Sequence, residues 1–147
     1  MNKIFKLILI SFLALLLGYL FLEWSKKEEV LVPEKITMLF VTQPSCPSCE
    51  ALEKTMQLPT PKALLENYFE IKMLNLGEAL PDGLIPPNGT PTVYFLGAND
   101  VALVEPMVGE KQEEVLVEFL EDALLEFKNT YHVDLEEVAL QKSLGEK

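Results

Sequence analysis

The two cysteines of this chain lie three positions apart, in the segment Cys46-Pro47-Ser48-Cys49, and the sequence contains no others. An apolar, strand-like run from 36 to 41 precedes them, and a helix-like run to about Met56 follows them. Backbone N–H groups at a helix start are unpaired and favour an anion, so this position stabilises the thiolate of Cys46. Two thiols at this spacing can close a small-ring disulfide, which is the chemistry of thiol–disulfide exchange.

A structural disulfide is the main alternative for this pair. Such a bridge gains stability by closing a long loop, and two intervening residues close almost none. Metal binding would need further soft ligands, and the only histidine, His132, lies near the C-terminus. We therefore expect a redox-active pair, no zinc site within one chain and no soluble cofactor. A metal site shared between two chains stays open.

The N-terminus carries an uncharged, largely apolar run from 7 to 22, extended toward the start of the chain across Lys6. A helix needs ~20 apolar residues to cross a bilayer, and a flanking lysine can reach the interface. Lys3 and Lys6 favour an N-terminus on the cytoplasmic side. We predict that residues 4–22 span the inner membrane and that the rest of the chain is exported. A cleaved signal peptide is the rival interpretation, but no pair of small residues follows the run at cleavage spacing.

The chain is strongly acidic, with 12 basic residues, all of them lysine, 23 acidic residues and a formal net charge of −11. A negative surface without guanidinium groups is poorly suited to nucleic acid or anionic lipid. We therefore expect no nucleic-acid partner. The acidic surface favours solubility, and it also favours neutral or basic partners.

The remaining pattern predicts one compact domain. We expect strands at 36–41, 68–74, 92–96 and 101–108, and helices at 46–56, 62–67 and 110–128. Prolines 59 and 61 end the first of these helices, and Pro106 marks the last strand as an edge or a bulge. The order combines a parallel βαβ unit with an antiparallel hairpin closed by a helix.

These elements divide the chain into four parts. Residues 1–22 are the transmembrane signal anchor, 23–34 a charged tether, 35–130 the domain and 131–147 an acidic C-terminal tail. The tail has enough helical character for one or two turns, with Val138 and Leu140 as weak anchors.

A proline-rich loop from 77 to 89 precedes the third strand. Leu84 and Ile85 in this loop are candidates for an apolar lip that contacts a protein substrate, and a simple covering loop is an equal alternative. Tyr94 is either exposed or under this loop, and the alternation of the strand does not decide between them.

From about Lys35 to Phe127 the chain resembles the thioredoxin-like superfamily. The resemblance rests on Cys46-Pro47-Ser48-Cys49 after a strand and on Gly89-Thr90-Pro91-Thr92-Val93-Tyr94-Phe95 about forty residues later. The second segment is similar to the loop that holds the family's cis-proline. The resemblance is strongest to exported members with threonine before that proline, such as bacterial disulfide isomerases and related periplasmic proteins. It implies an α/β thioredoxin fold with a central mixed sheet flanked by helices.

By that resemblance, Cys46 is the attacking thiol, Cys49 resolves the mixed disulfide, and Pro91 is cis. The Thr90 backbone would then hydrogen-bond a substrate peptide, and the dipeptide Pro47-Ser48 would tune the reduction potential. The implied function is a membrane-anchored thiol–disulfide oxidoreductase of the bacterial inner membrane, with its domain in the periplasm. Its partners would be protein disulfides or dithiols and a membrane or periplasmic redox protein. A non-enzymatic binding or assembly factor that keeps the fold as a scaffold is the alternative.

Three positions depart from the thioredoxin pattern. Phe40 stands where thioredoxins have a buried aspartate, Ser45 where they have tryptophan, and Glu50 where a lysine is usual. The dipeptide between the cysteines also lacks the histidine of strong oxidants. These departures leave both the substrate and the direction of electron flow open. The missing histidine and the acids Glu50 and Glu53 favour a reductase or isomerase over a strong oxidase.

Overall fold

The computed structural model describes residues 2–24 and 31–145. The chain divides into two compact units, residues 1–30 and 31–147. In the first unit, α1 is one helix of 22 residues, Lys3–Trp24. Counting only the residues that are described, no helix combines the length and the apolar character that a membrane crossing requires. Residues 25–30 of the predicted tether lie outside the described part of the chain.

The second unit is built on a four-stranded mixed sheet. Its strands are β1 (Ile36–Thr42), β2 (Phe69–Asn75), β3 (Thr92–Leu96) and β4 (Met107–Val108). They lie in the order β2-β1-β3-β4, with β1 parallel to β2 and antiparallel to β3, and with β4 antiparallel to β3. This order and these directions confirm the predicted thioredoxin fold.

Four helices accompany the sheet: α2 (Pro47–Met56), α3 (Pro59–Tyr68), α4 (Glu113–Tyr131) and α5 (Leu135–Gly145). Parallel strands need a crossover connection, and α2 and α3 supply it between β1 and β2. A short 3₁₀ turn, Ala98–Asp100, follows β3. The central strand β1 therefore leads directly into the segment that holds the cysteines.

The main core lies on one face of the sheet, between the strands and the helices. Alternate residues of β1, including Met38 and Phe40, enter this core together with Leu52 of α2 and Leu120 of α4. Both cysteines belong to the same buried cluster. The opposite face has a smaller cluster, formed by Leu39, Val41, Tyr94 and Leu96, and covered by Leu74, Leu80 and Leu84. The cysteine segment is thus held by the larger core.

The predicted strand from 101 to 108 is wrong as a continuous element. Only Met107–Val108 forms a strand, and upstream one isolated bridge joins Ala102 to Leu96. Pro106 lies in the interrupted stretch, where it has no N–H group for a ladder hydrogen bond. This stretch therefore pairs with β3 at Ala102 and again at Met107–Val108, and the residues between them are unpaired with β3 in the sheet.

The predicted start of the second helix is also wrong. α3 begins at Pro59 instead of residue 62. A proline in the first helical turn loses no hydrogen bond, because the N–H groups of that turn have no intrahelical partner. Pro59 and Pro61 thus open α3 as well as separating it from α2.

The tail is more ordered than the sequence pattern indicated. α5 has 11 residues, and Leu135 at its start is buried in the main core. Val138 and Leu140, the predicted anchors, are exposed. The buried anchor is the first residue of the helix, so the helical period within the tail did not identify it.

His132 ends α4 in a left-handed conformation, with φ 57° and its N–H donating to the Lys128 carbonyl oxygen at 2.9 Å. A side chain with a Cβ is disfavoured there by roughly 1–2 kcal/mol relative to glycine. We expect His132→Gly to raise the free energy of unfolding by roughly 0.5–1 kcal/mol, which is less than the full relief of this strain, because the greater entropy of glycine in the unfolded chain offsets part of it. Urea unfolding of the whole chain measures this. His132→Ala is the control, and an equal gain from both variants would contradict the explanation.

Candidate active site

Cys46 occupies the N-cap of α2. Its backbone is extended, and its carbonyl oxygen accepts hydrogen bonds from the N–H groups of Cys49 and Glu50, both at 3.1 Å. Pro47 opens the helix with a φ suited to that position and with no N–H to leave unpaired. The preceding residue, Ser45, has φ 56° and turns the chain from β1 toward the helix. The local sequence thus fixes the sulfur of Cys46 at a helix N-terminus.

The two cysteines form a disulfide, with their Cα atoms 5.2 Å apart. The Cys46 Sγ also accepts the backbone N–H of Cys49 at 3.1 Å. Cys46 is 6% exposed and Cys49 is 3% exposed, so both sulfurs are largely buried in the oxidised state. In the reduced state, the Cys49 N–H and the open end of the helix would favour a thiolate at Cys46.

The segment around Thr90 meets the disulfide from another part of the chain. The Thr90 Oγ1 lies 3.4 Å from the Cys46 Sγ, and the Thr90–Pro91 peptide bond is cis. The Pro91 carbonyl oxygen accepts the N–H of Gly109 at 2.8 Å. The Thr92 hydroxyl donates to the Gly89 carbonyl oxygen at 2.8 Å. The first of these two hydrogen bonds ties the segment to the residue that follows β4, and the second ties it to the start of β3.

The structure therefore brings together Cys46, Cys49 and Thr90, three of the residues that the sequence predicted for the site. It adds a contact that the sequence analysis missed, because only the backbone of Thr90 was given a role. The sequence does show a threonine directly before the proline of this motif, and its hydroxyl group was the feature that could have indicated the contact. Pro47 is exposed and Ser48 is half-buried within α2. Both dipeptide residues thus reach the surface on the short segment that links the two cysteines.

The departures from the thioredoxin pattern fall into two groups. Ser45 and Glu50 are exposed at the surface around the disulfide. Phe40 is fully buried and lines a groove of about 450 Å³ beside α2, together with Met56 and Met73. An aromatic side chain thus stands at the position where the resemblance leads one to expect a carboxyl group. Phe40 shares one buried apolar cluster with both cysteines, so this position supplies no proton acceptor.

Tyr94 lies under the proline-rich loop, which decides between the two alternatives left by the sequence. It is buried, and its hydroxyl donates to the Ile85 carbonyl oxygen at 2.6 Å. Burial raises the pKa of Tyr94 above its usual value. Leu84 packs against the smaller core, whereas the Ile85 side chain is 70% exposed. The predicted apolar lip is thus reduced to Ile85, and Tyr94 holds the backbone beneath it.

His132 is exposed at the end of α4 and contributes to helix termination. Within the described ranges, no group of three His, Cys, Asp or Glu side chains is arranged to hold a metal ion.

No protein-family model matches this sequence, and no curated protein matches it. Among solved structures, the periplasmic thioredoxin SoxS from Paracoccus pantotrophus is similar, with a TM-score of 0.51 and 22% identity over 63% of this chain and 98% of that chain. The disulphide isomerase from Xylella fastidiosa has a TM-score of 0.45 and 19% identity, over 60% of this chain and 77% of its own. The C-terminal domain of DsbD from Neisseria meningitidis has a TM-score of 0.45 and 22% identity, over 62% of this chain and 83% of that domain. The similarity to SoxS agrees with the thioredoxin fold seen in the sheet order.

Proposed function

We propose that this chain is a membrane-anchored, exported thiol–disulfide oxidoreductase of thioredoxin fold. The observation that carries the proposal is the Cys46–Cys49 disulfide at the N-terminus of α2, with the Thr90 hydroxyl 3.4 Å from the first sulfur. A bridge that spans only two residues adds little stability, so a structural purpose explains it poorly. A helix N-terminus beside one sulfur is suited to a reactive thiolate.

The reaction is a pair of sulfur exchanges. The Cys46 thiolate attacks one sulfur of a substrate disulfide, forms a mixed disulfide and releases the other substrate sulfur as a thiolate. Cys49 then loses its proton and attacks the Cys46 sulfur, which restores the Cys46–Cys49 disulfide and frees the second substrate thiol. Two electrons pass to the substrate, and a dithiol protein must return them before the next cycle. Substrate oxidation is the same sequence in reverse.

Insulin reduction by dithiothreitol tests this activity against the scaffold alternative. The proposal predicts that catalytic amounts of the whole chain shorten the lag before the insulin B chain precipitates. A chain that uses the fold only to bind or assemble other proteins would leave the lag unchanged, and that result would overturn the proposal.

The anchoring part of the proposal rests on the sequence run from 4 to 22, whose length is close to the ~20 mostly apolar residues that a bilayer-spanning helix needs. Lys3 and Lys6 precede the apolar run, which favours a cytoplasmic N-terminus and a periplasmic domain. The disulfide chemistry fits an exported compartment, where dithiols are actively managed.

We expect the chain to stay in the membrane pellet after carbonate extraction, with its N-terminal peptide intact by mass spectrometry. A variant that lacks residues 2–22 is the control and should leave the membrane fraction. A mature wild-type chain that starts near Trp24 and is found in the soluble fraction would contradict the anchor.

The direction of electron flow follows from the charges near the disulfide. Ser48 offers at most a hydroxyl, and the exposed acids Glu50 and Glu53 on α2 oppose a nearby thiolate. The helix N-terminus favours the thiolate, so the net stabilisation of the reduced form is modest. We expect a reduction potential below roughly −180 mV, on the reducing side of the disulfide isomerases. The redox partner is then a membrane or periplasmic protein that supplies electrons.

Equilibration with glutathione buffers, followed by thiol alkylation and mass spectrometry, measures this potential. Ser48→His should make the potential less negative by roughly tens of millivolts, because an imidazolium stabilises the thiolate, and Ser48→Ala is the matched control. A wild-type value near roughly −120 mV, in the range of strong oxidants, would contradict the assignment of direction.

A further inference from the structure

The outer edge of β2 is open to pairing. Over residues 2–24 and 31–145, β2 pairs only with β1, so its other edge has no strand partner. A free edge exposes backbone N–H and C=O groups that can pair with another strand. β2 is seven residues long and contains no proline, and Lys72 is its one lysine. The devices that usually block edge pairing are therefore sparse here.

Two large apolar side chains lie exposed along this edge. Ile71 is 42% exposed and Met73 is 55% exposed, on the same face of the sheet as buried Phe69. Shallow grooves of about 320 Å³ and 450 Å³ flank them, and Met56 of α2 lines both. Exposed apolar residues beside an open strand edge and a groove are typical of an interaction surface.

The other face of β2 carries two opposite charges, Glu70 and Lys72, both exposed. Their cross-strand neighbours in β1 are Thr37 and Leu39, which are uncharged. Neither β1 neighbour supplies a counter-charge, so within these two strands each of the two side chains has only the other as an oppositely charged neighbour. An approaching strand can supply a directly opposed counter-charge to both.

We propose that the outer edge of β2 binds the same edge of a second copy of this chain, antiparallel, about a two-fold axis at Ile71. In this register Glu70 of each copy lies opposite Lys72 of the other. Ile71 lies opposite its own counterpart, and Phe69 lies opposite Met73 of the second copy, beside the grooves. Opposite charges and apolar pairs in directly opposed positions stabilise antiparallel strands.

The charge pattern selects this register over its neighbours. If one strand shifted by one residue relative to the other, its apolar side chains would lie opposite charged ones. The apolar residues of the two copies would then lie on opposite faces of the joined sheet. An axis at Glu70 would set two carboxylates against each other, and an axis at Lys72 would set two ammonium groups together. Both arrangements are destabilising. Only the axis at Ile71 gives two ion pairs. The interface is independent of the redox activity proposed above.

Sedimentation of the whole chain in detergent, over a range of concentrations, tests the interface. We expect a reversible dimer whose dissociation constant rises about tenfold or more in Glu70→Lys and in Lys72→Glu, because each change puts like charges in both opposed positions. The double variant exchanges the two charges and should restore wild-type association. Lys142→Glu is the control, since it makes the same charge change on the exposed end of α5.

Cross-linking identifies the register. In a mixture of nitrogen-15-labelled and unlabelled chains, a carbodiimide should join Glu70 of one copy to Lys72 of the other in peptides of mixed label. The proposal is overturned by a wild-type chain that stays monomeric, by a dimer unaffected by Lys72→Glu, or by a double variant no better associated than the single ones. Association of this edge with a different protein only would overturn it as well.

Discussion

Cys46→Ser will reduce the rate of catalysed insulin reduction at least about 100-fold, to the rate of dithiothreitol alone, because serine has no thiolate to attack a disulfide. The variant keeps a small side chain at the N-cap of α2, and serine is a favourable residue at such a cap. The loss will therefore come from the missing sulfur rather than from an altered fold. The lag before precipitation, measured at several enzyme concentrations, checks this.

Ser48→Ala is the matched control for this prediction. It removes a hydroxyl from a half-buried position between the two cysteines and leaves both sulfurs in place. We expect it to stay within a few-fold of wild-type activity. A Cys46→Ser chain that retained the wild-type rate would show that the activity does not depend on this sulfur.

Phe40→Ala will lower the free energy of unfolding by about 3–5 kcal/mol, the usual cost of deleting a fully buried phenyl ring. Phe40 lies in the central strand β1, belongs to the main core and adjoins the groove beside α2. Its removal takes apolar surface from that core and leaves a cavity behind it. Urea unfolding of the whole chain, followed by circular dichroism, gives the difference in stability.

Leu125→Ala serves as the control for Phe40→Ala, because Leu125 lies on an exposed part of α4 and should change stability by less than about 0.5 kcal/mol. Phe40→Leu keeps most of the buried volume and should fall between the two. If Phe40→Ala were no more harmful than Leu125→Ala, the packing described for the main core would be wrong.

The fold was predictable where each element carried its own local pattern. The strand predicted at 92–96 matches β3 in both bounds, and α2 differs from its prediction only in that Cys46 is the cap. The buried residues of α2 recur at the helical period, whereas all five residues of β3 are buried, which is typical of a short apolar run in a central strand. The order of these elements, with the two motifs, was enough to indicate the sheet topology.

Predictions failed where distant contacts decide the structure. The stretch from 101 to 108 has strand composition, yet only its end forms a strand with β3, and the rest meets β3 at one isolated bridge. α5 exceeds the predicted one or two turns because Leu135 reaches a core built from elements far away in the sequence. Neither outcome follows from local periodicity, because tertiary packing overrides it.

The candidate active site, like the fold, was predictable where the signal is local in sequence and unpredictable where it depends on distant contacts. The cysteines and the threonine–proline segment were identified because their chemistry is visible in a few consecutive residues. The contact between Cys46 and the Thr90 hydroxyl joins positions 44 apart, and the bond from Tyr94 to Ile85 depends on how the loop folds back. Both arise from the tertiary arrangement of β3 and its preceding loop.

Trapping of a mixed disulfide tests the central claim most directly. In Cys49→Ser, Cys46 can attack a substrate disulfide, but no second thiol is present to release the product. The account predicts that the reduced Cys49→Ser chain, mixed with insulin, accumulates a mixed disulfide through Cys46. Dithiothreitol should cleave this adduct by reducing it, and the Cys46→Ser chain should form no such adduct. Adducts formed mainly by Cys46→Ser, or by neither variant, would contradict the assignment of Cys46 as the attacking thiol.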